Sequence, residues 1–287
     1  MRKIKATPDS RRSSGAPRRP RDEPASNPRA SLGNARGTAS LSADPGAVEI
    51  ELVGGALIAT LMRPRMQNRV SHTMARELMD LAETVEDDDS ILALALTGAG
   101  RVFCAGFDLD VDPRLVETLA QLSKPTVAIL NGDATDEGLE LALALDLRAA
   151  TVETRLALTQ LLRGRLPRFG GTQRLPRLAG QAHALRMILT GAPMSAGDAL
   201  RLGLVTWLAN GPDDLHRVAR DLLATLASRG PVGLRMAKEA VRKGYDMTID
   251  QGIRLEEDLY ALLQTTSDRA EGVRAFLEKR KPLFKGA

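Results

Sequence analysis

The sequence has 287 residues, 43% of them hydrophobic and 26% charged, which is typical of a globular protein with a sizeable core. No uncharged apolar run reaches the ~18 residues that a membrane span requires, and the single cysteine, Cys104, has no partner for an intrachain disulfide. The three histidines lie far apart in sequence and give no support for a metal site or a Ser-His-Asp triad. We therefore expect a soluble, cytoplasmic protein without a metal-binding residue.

The charge is unevenly distributed along the chain. Residues 1–46 contain ten Lys/Arg and four Asp/Glu, a balance of +6, so the remaining residues carry −2 of the total of +4. This segment is rich in Arg, Ser and Pro and has no apolar periodicity, which predicts a disordered basic tail without a secretory signal. A basic tail can contact nucleic acid, but no aromatic residues are interleaved with these charges, so a solvated extension is the favoured interpretation.

The first half of the remaining chain alternates between strand and helix patterns. Val48, Ile50 and Leu52 alternate with acidic residues as in a half-buried strand, and Gly54-Gly55 predicts a tight turn into a second strand over Ala56–Leu61. Further along, the pattern predicts a helix capped by Ser71, strands over Ile91–Leu96 and Thr126–Leu130, and an apolar helix over Leu139–Leu145.

The pattern of the second half of the chain predicts helices. Leu215, Val218, Leu222 and Leu226 mark one amphipathic face, and Gly230-Pro231 ends that helix. Three more helices are predicted, over Gly233–Lys243, Ile249–Leu263 and Ser267–Lys279. The chain therefore divides into an α/β core over residues 47–210 and a helical C-terminal region over residues 211–287.

Three segments are candidates for chemistry. Phe103–Leu109 places small residues after an apolar strand, where a ligand can approach backbone N–H groups, although a plain turn fits equally well. Pro167–Leu175 contains a Gly-Gly pair before Thr172 and predicts a capped helix with backbone donors at its start. Asn131–Leu141 leads into the apolar helix.

Glu140 is the only charged residue in that apolar helix. A helix that is apolar on all sides is normally buried, and burial raises the pKa of a carboxyl group, a property that a general acid or base uses. The alternative is that Glu140 faces a structural partner or the one wet edge of the helix.

Taken in order, these segments resemble the enoyl-CoA hydratase/isomerase (crotonase) family over residues 47–287. The motifs that carry the resemblance are Leu61-Met62-Arg63-Pro64 with Asn68, Leu96-Thr97-Gly98, Phe103–Leu109, Lys124-Pro125, Asn131-Gly132 with Gly138–Ala142, Gly170–Leu175 and Glu271–Pro282. The resemblance implies a crotonase-like α/β fold of repeated ββα units with a helical C-terminal region, assembled as a homotrimer or a hexamer. It also implies an acyl-CoA thioester as substrate and no cofactor besides the coenzyme A of that substrate.

The resemblance further implies a set of site residues. Two backbone N–H groups, which fall on Phe107 and Glu137, would hold the thioester oxygen as it becomes an enolate, and Glu140 would be the acid/base. Coenzyme A would bind along a set of residues from two loops and the C-terminus: Arg65, Met66, Gln67, Ala105, Gly106, Asp108, Phe276 and Lys279. The last two would reach the nucleotide held by a neighbouring subunit, and Lys279 would suit a phosphate.

The sequence departs from the family pattern at three places. Gln160 stands where hydratases carry a second glutamate, ten residues before Gly170, and an amide can only position a water. Asp136 and Glu137 replace glycines; their side chains either point away from the oxyanion, or one is protonated, or the site has another task. Only seventeen residues separate Gly106 from Lys124, so the acyl pocket would be more open or differently lined.

Four functions follow as hypotheses. The leading one is a hydratase/isomerase-type enzyme with Glu140 as acid/base. The second is another enolate reaction that one carboxylate can serve, namely isomerisation, C–C hydrolysis or decarboxylation. The third is a catalytically degenerate CoA-binding or scaffold protein, and the fourth is RNA binding through the basic tail.

Overall fold

The computed structural model describes residues 48–286 of the chain, and the disordered tail predicted for residues 1–46 lies outside this range. The strands are β1 Val48–Val53, β2 Ala56–Leu61, β3 Ala93–Gly98, β4 Val102–Cys104, β5 Thr126–Leu130, β6 Asp133–Thr135, β7 Leu147–Thr151, β8 Arg155–Ala157, β9 Met194–Ser195 and β10 Trp207–Ala209. The helices are α1 His72–Asp87, α2 Arg114–Gln121, α3 Glu137–Ala144, α4 Gly171–Ala179, α5 Gln181–Thr190, α6 Ala196–Arg201, α7 Pro212–Ala227, α8 Pro231–Gly244, α9 Ile249–Gln264 and α10 Ser267–Leu277. Two 3-10 helices cover Pro64–Met66 and Gln160–Arg163. None of the helices within residues 48–286 is both long enough and apolar enough to cross a membrane.

The strands form two sheets between which the chain alternates. The larger sheet has the order β1-β2-β3-β5-β7-β10, with an antiparallel β1-β2 hairpin and parallel pairing beyond it. The smaller sheet has the order β4-β6-β8-β9. Strands β3, β5 and β7 of the larger sheet are each followed by one strand of the smaller sheet, so β3-β4-α2 and β5-β6-α3 are ββα units. This confirms the predicted fold of repeated ββα units followed by a helical C-terminal region.

The core lies on both faces of the larger sheet. On one face the Leu and Val side chains of α1, α2 and α3 pack into the main hydrophobic cluster. On the other face, small sheet residues such as Ala93, Ala95 and Ala149 pack against Leu215 and Leu223 of α7. Because Ala side chains are short, they allow α7 to lie close to the sheet and to bury its apolar stripe there.

Most predicted elements are present, with shifted ends. The strand predicted over Ile91–Leu96 is displaced by two residues, and the three C-terminal helices begin and end within two residues of their predicted bounds. The helix predicted within Pro167–Leu175 is present with a backbone donor at its start, but it has no side-chain cap. Helix α4 already begins at Gly171, its N-cap Gly170 has a φ of 97°, and no side chain of its own N-cap satisfies the first N–H groups.

Candidate active site

Two loops pair side by side next to the start of α3. The Ala105 N–H donates to the Gln67 carbonyl at 3.0 Å, and Val70 forms a parallel β-bridge with Phe107. Asn68, which is fully buried at a φ of 54°, fixes the first loop. Its Nδ2 donates to two carbonyl oxygens of the β3–β4 connection, at 2.9 and 2.6 Å. The loop residues predicted to bind coenzyme A are thereby brought together: Arg65, Met66, Gln67, Ala105, Gly106 and Asp108.

Two arginines hold the second loop in place. The Arg69 guanidinium donates to the carbonyl oxygens of Ala105 and Phe107, and it lies 3.6 Å from the Asp108 carboxylate. Arg63 donates to the same carboxylate at 2.8 Å. Asp108 is therefore an anchor for this loop, because both of its carboxylate oxygens have guanidinium partners. The contacts fix the direction of the backbone around Phe107.

Glu140 lies at the end of the first turn of α3 and is completely buried. Its Oε1 accepts hydrogen bonds from the Phe169 and Gly171 N–H groups, each at 2.8 Å. Burial raises the pKa of the Glu140 carboxyl above its usual range, while these backbone donors oppose that shift. The first N–H group of α4, that of Gly171, is thus satisfied by Glu140 from another helix. A Cβ at Gly171 would lie 2.9 Å from Oε1, so the close approach requires glycine there.

Gln160 completes the surroundings of Glu140. Its Nε2 donates to the second carboxylate oxygen of Glu140 at 3.2 Å, and its side chain is 1% exposed. Its Oε1 is buried and has no hydrogen-bond partner among the described residues. A buried amide oxygen without a donor is costly, so Gln160 Oε1 is an acceptor for a small hydrogen-bond donor beside Glu140.

The Glu137 side chain occupies the predicted oxyanion hole. Its Oε2 accepts a hydrogen bond from the Phe107 N–H at 3.4 Å, and its Oε1 pairs with Arg165 at 2.8 Å. The Glu137 N–H lies at the first residue of α3, where a helix offers no internal acceptor. The two predicted backbone donors therefore border one small region, and a carboxylate of the same chain already contacts one of them.

Asp136 points in a different direction from Glu137. It precedes α3 at a φ of 52°, and its carboxylate accepts hydrogen bonds from the Thr159 N–H and hydroxyl at 2.7 and 2.9 Å. Arg163 pairs with the other carboxylate oxygen. Of the alternatives open for the two acids, Asp136 points away from the Phe107 N–H, whereas Glu137 points at it.

The first turn of α3 lies in direct contact with the end of β4. A Cβ at Gly138 would lie 2.1 Å from the Cys104 carbonyl oxygen, so only glycine allows this approach. Burial raises the pKa of the Cys104 thiol to about 12. Cys104 is therefore a packing residue, because its thiol stays protonated at neutral pH.

Two cavities meet at Phe169. A cavity of about 210 Å³ adjoins Phe107, Glu137 and Arg165. A larger one of about 980 Å³ lies between α2, α3, α4 and α8, with many apolar side chains in its walls. Arg168 and Phe169 line both, and the Phe169 ring meets the Phe107 ring edge-on at 5.0 Å. The short connection that carries α2 thus borders the larger cavity through Pro113, Val116 and Glu117, while the openness of the acyl pocket stays a prediction.

Phe276 and Lys279 are distant in the sequence from the two paired loops and from α3. Phe276 is 82% exposed on α10, and Lys279 follows the end of that helix at a φ of 54°. Neither side chain takes part in the described contacts that build the site within this single chain. Their predicted reach to a neighbouring subunit stays a prediction.

The sequence did not single out Arg165 or Phe169 as site residues. Arg165 lies in an Arg-rich run with Arg163 and Arg168, directly before the Gly-Gly pair. That run faces two acids at the start of α3. This charge complementarity was the feature of the sequence from which a role of Arg165 in the site could have been predicted. Nothing in the sequence pattern indicates which arginine meets which acid.

Comparisons with known proteins agree with this architecture. The model of the enoyl-CoA hydratase/isomerase family matches residues 53–287. The (E)-benzylidenesuccinyl-CoA hydratase of Thauera aromatica is 36% identical over 255 residues, covering 84% of this chain and 99% of its own. The 1,2-epoxyphenylacetyl-CoA isomerase of Escherichia coli is 36% identical over 251 residues, covering 81% and 95%. The crystal structure of an enoyl-CoA hydratase from Bacillus anthracis superimposes with a TM-score of 0.81 at 33% identity, covering 84% of this chain and 100% of its own.

Proposed function

The chain belongs to the enoyl-CoA hydratase/isomerase family, and on that premise we propose that it is an enzyme that acts on acyl-coenzyme A thioesters with Glu140 as its acid/base. One observation carries the proposal. A fully buried carboxylate with a raised pKa lies on α3, one turn after the backbone N–H that begins this helix. A carboxyl group in such a setting exchanges protons closer to neutral pH than an exposed one does.

The reaction that we propose passes through a thioester enolate. The Phe107 and Glu137 N–H groups stabilise the developing negative charge on the thioester oxygen once the Glu137 carboxylate has left that position. Glu140 transfers the proton at the adjacent carbon. This chemistry needs no cofactor besides the coenzyme A of the substrate.

Hydration and isomerisation both fit one carboxylate. In hydration, the water oxygen bonds to the β-carbon of the enoyl group while Glu140 accepts a water proton and then delivers it to the α-carbon. Gln160 Oε1, which lacks a partner among the described residues, would accept the other water hydrogen. In isomerisation, Glu140 removes a proton at one carbon and returns it at another, and Gln160 only orients Glu140.

Coenzyme A would lie along the paired loops that hold Arg65, Met66, Gln67, Ala105, Gly106 and Asp108. Phe276 and Lys279 would contact the nucleotide in a neighbouring subunit of a homotrimer or hexamer, which is consistent with the exposure of Phe276. We also propose that the protein is located in the cytoplasm.

Binding and product analysis test the proposal together. Calorimetry should detect a short enoyl-CoA and not its free acid, because the loops contact the coenzyme A part. Mass spectrometry of the product then separates the reactions, since hydration adds one water and isomerisation leaves the mass unchanged. Binding of a thioester without any turnover would favour a CoA-binding protein that has lost catalysis. If no thioester binds at millimolar concentration, the proposed function is wrong.

A further inference from the structure

The Glu137 side chain competes with the substrate for the oxyanion hole. Its Oε2 lies 3.4 Å from the Phe107 nitrogen. A thioester oxygen that is to be stabilised there must lie about 2.7–3.1 Å from the same donor. Both oxygens cannot occupy this position, so every productive complex requires the Glu137 carboxylate to leave.

Leaving is opposed by the surroundings of Glu137. The residue is 3% exposed, and its other carboxylate oxygen pairs with Arg165 at 2.8 Å. Breaking this pair is unfavourable because it takes the charged partner from the desolvated Glu137 carboxylate. Arg165 is itself 44% exposed at the mouth of the cavity, so it remains accessible to an incoming group.

The small cavity has a second guanidinium in its wall. Arg168 lies over the Phe169 ring, with its Cζ 4.8 Å from the ring centroid, and within residues 48–286 it has no ion-pair partner. The acid Asp108 also borders the cavity, but Arg63 and Arg69 already hold it. Once the Glu137 carboxylate has moved out, two arginines face the space next to the Phe107 N–H.

We propose that the acyl group of the substrate carries a carboxylate of its own, which binds Arg165 and Arg168 when the Glu137 carboxylate is displaced. This inference rests on the proposed function and names its substrate class. A neutral acyl group would have to expel Glu137 without replacing its charge beside Arg165. A carboxylated acyl group exchanges one carboxylate for another, and Arg is well suited to bind it.

The experiment compares two 2-enoyl-CoA thioesters with the same number of chain atoms, one ending in a carboxylate and one in a methyl group. With the full-length protein, we expect kcat/KM to favour the carboxylated thioester by about 10- to 100-fold, the range that a hydrogen bond to a charged group supplies. Arg165→Gln should remove most of this preference. Arg163→Gln is the matched control, since Arg163 pairs with Asp136 outside the cavity, and it should leave the ratio unchanged.

Glu137→Gln provides a second measurement. It removes the competing charge and leaves Arg165 without its partner, so both thioesters should bind more tightly and the carboxylated one by the larger factor. Equal kcat/KM values for the two thioesters in the wild type would overturn the proposal. So would an equal loss for both in Arg165→Gln, which would assign this arginine to the coenzyme A phosphates. A preference for the methyl-terminated thioester would also overturn it, and would direct the acyl group past Phe169 to the larger cavity.

These outcomes are distinct from a failure of the proposed function. If neither thioester binds or reacts, the acyl-CoA enzyme itself is wrong. If both react without discrimination, the proposed function stands and only the carboxylated substrate class is wrong.

Discussion

The two glutamates of α3, Glu137 and Glu140, differ in the groups that donate hydrogen bonds to their carboxylates. Glu140 is completely buried and is bound by neutral donors alone, namely the Phe169 and Gly171 N–H groups and the Gln160 amide. Glu137, one turn earlier and nearly as buried, is bound by the Arg165 guanidinium. Neutral donors do not compensate for burial, so the pKa of Glu140 is raised. A carboxyl group that is bound by neutral donors, such as Glu140, is suited to transfer protons. A carboxylate that is paired with a guanidinium, such as Glu137, is suited to bind or release a cation.

The largest expected effect comes from exchanging the Glu140 carboxylate for an amide, and the same exchange at Glu137 is its comparison. Glu140→Gln should lower turnover by about 10²–10⁴-fold, the typical contribution of a general acid/base, with thioester affinity nearly unchanged. Glu137→Gln should not lower kcat by more than about tenfold, because only its backbone N–H acts on the oxyanion. Steady-state kinetics and calorimetry measure both. Full turnover in Glu140→Gln would make the assignment of the acid/base wrong.

Gly171→Ala should have the next largest effect, because it moves Glu140 and leaves its chemistry intact. The added Cβ would lie 2.9 Å from Oε1 and 3.0 Å from Cγ of Glu140. A displacement of about 1 Å at a reacting group costs up to roughly 10²-fold in rate. The kcat should therefore fall while thioester binding is retained. Gly197→Ala, whose Cβ would meet no atom closer than 4.0 Å, is a control that should retain wild-type kcat.

Gln160→Glu tests whether a second carboxylate restores ordinary hydration. The new carboxylate would lie beside Glu140 Oε2, where the amide nitrogen is now 3.2 Å away. Water addition uses one group to activate water and another to deliver the α-proton, so crotonyl-CoA hydration should rise by at least about tenfold, a fraction of what a positioned carboxylate contributes. Loss of the enoyl-thioester absorbance measures the rate. An unchanged or lower hydration rate would show that the site is not limited by the missing carboxylate.

The smallest effect concerns stability and pH. The folded-state pKa of Glu140 is raised above its usual value of 4.5. The stabilisation of the folded state by the protonated carboxyl is therefore fully present below that value, and it is lost as the pH rises through the folded-state pKa. The free energy of unfolding of the wild type should therefore fall relative to Glu140→Gln over this window, by about 1.4 kcal/mol for each unit of difference between the two pKa values. Urea unfolding from pH 4 to pH 8 measures this difference.

The amide variant is a sound reference for this measurement. A Gln at position 140 can still accept from the Phe169 and Gly171 N–H groups, and its own amide can donate to Gln160 Oε1 once the Gln160 amide, whose Nε2 now faces Glu140 Oε2, has turned over. A pH-independent difference between the two proteins would contradict the raised pKa.

The sequence by itself determined the architecture and one carboxylate. Period-2 and helical patterns are local properties of one element, so the β1-β2 hairpin, α1 and the C-terminal helices were predicted near their observed ends. The half-burial predicted for β1 is wrong, because Ile50 and Leu52 are 51% and 61% exposed in this chain. Glu140 was singled out because an all-apolar helix is normally buried, and the structure buries it. The weak patterns of short elements such as β4 and β6, three residues each, left those strands unpredicted.

Only the tertiary structure decided how the charges pair. Asp136 and Glu137 are adjacent acids that look equivalent in sequence, yet one meets Thr159 and Arg163 while the other meets Phe107 and Arg165. The difference arises from the positive φ of Asp136 and from the paths of the chain before and after α3, which bring together residues 23 to 30 positions apart. Sequence patterns predict which residues are buried, but they do not predict the direction in which a side chain points toward residues so far apart in the chain. The contact of the Glu137 carboxylate with the Phe107 N–H was therefore visible only once the chain was folded.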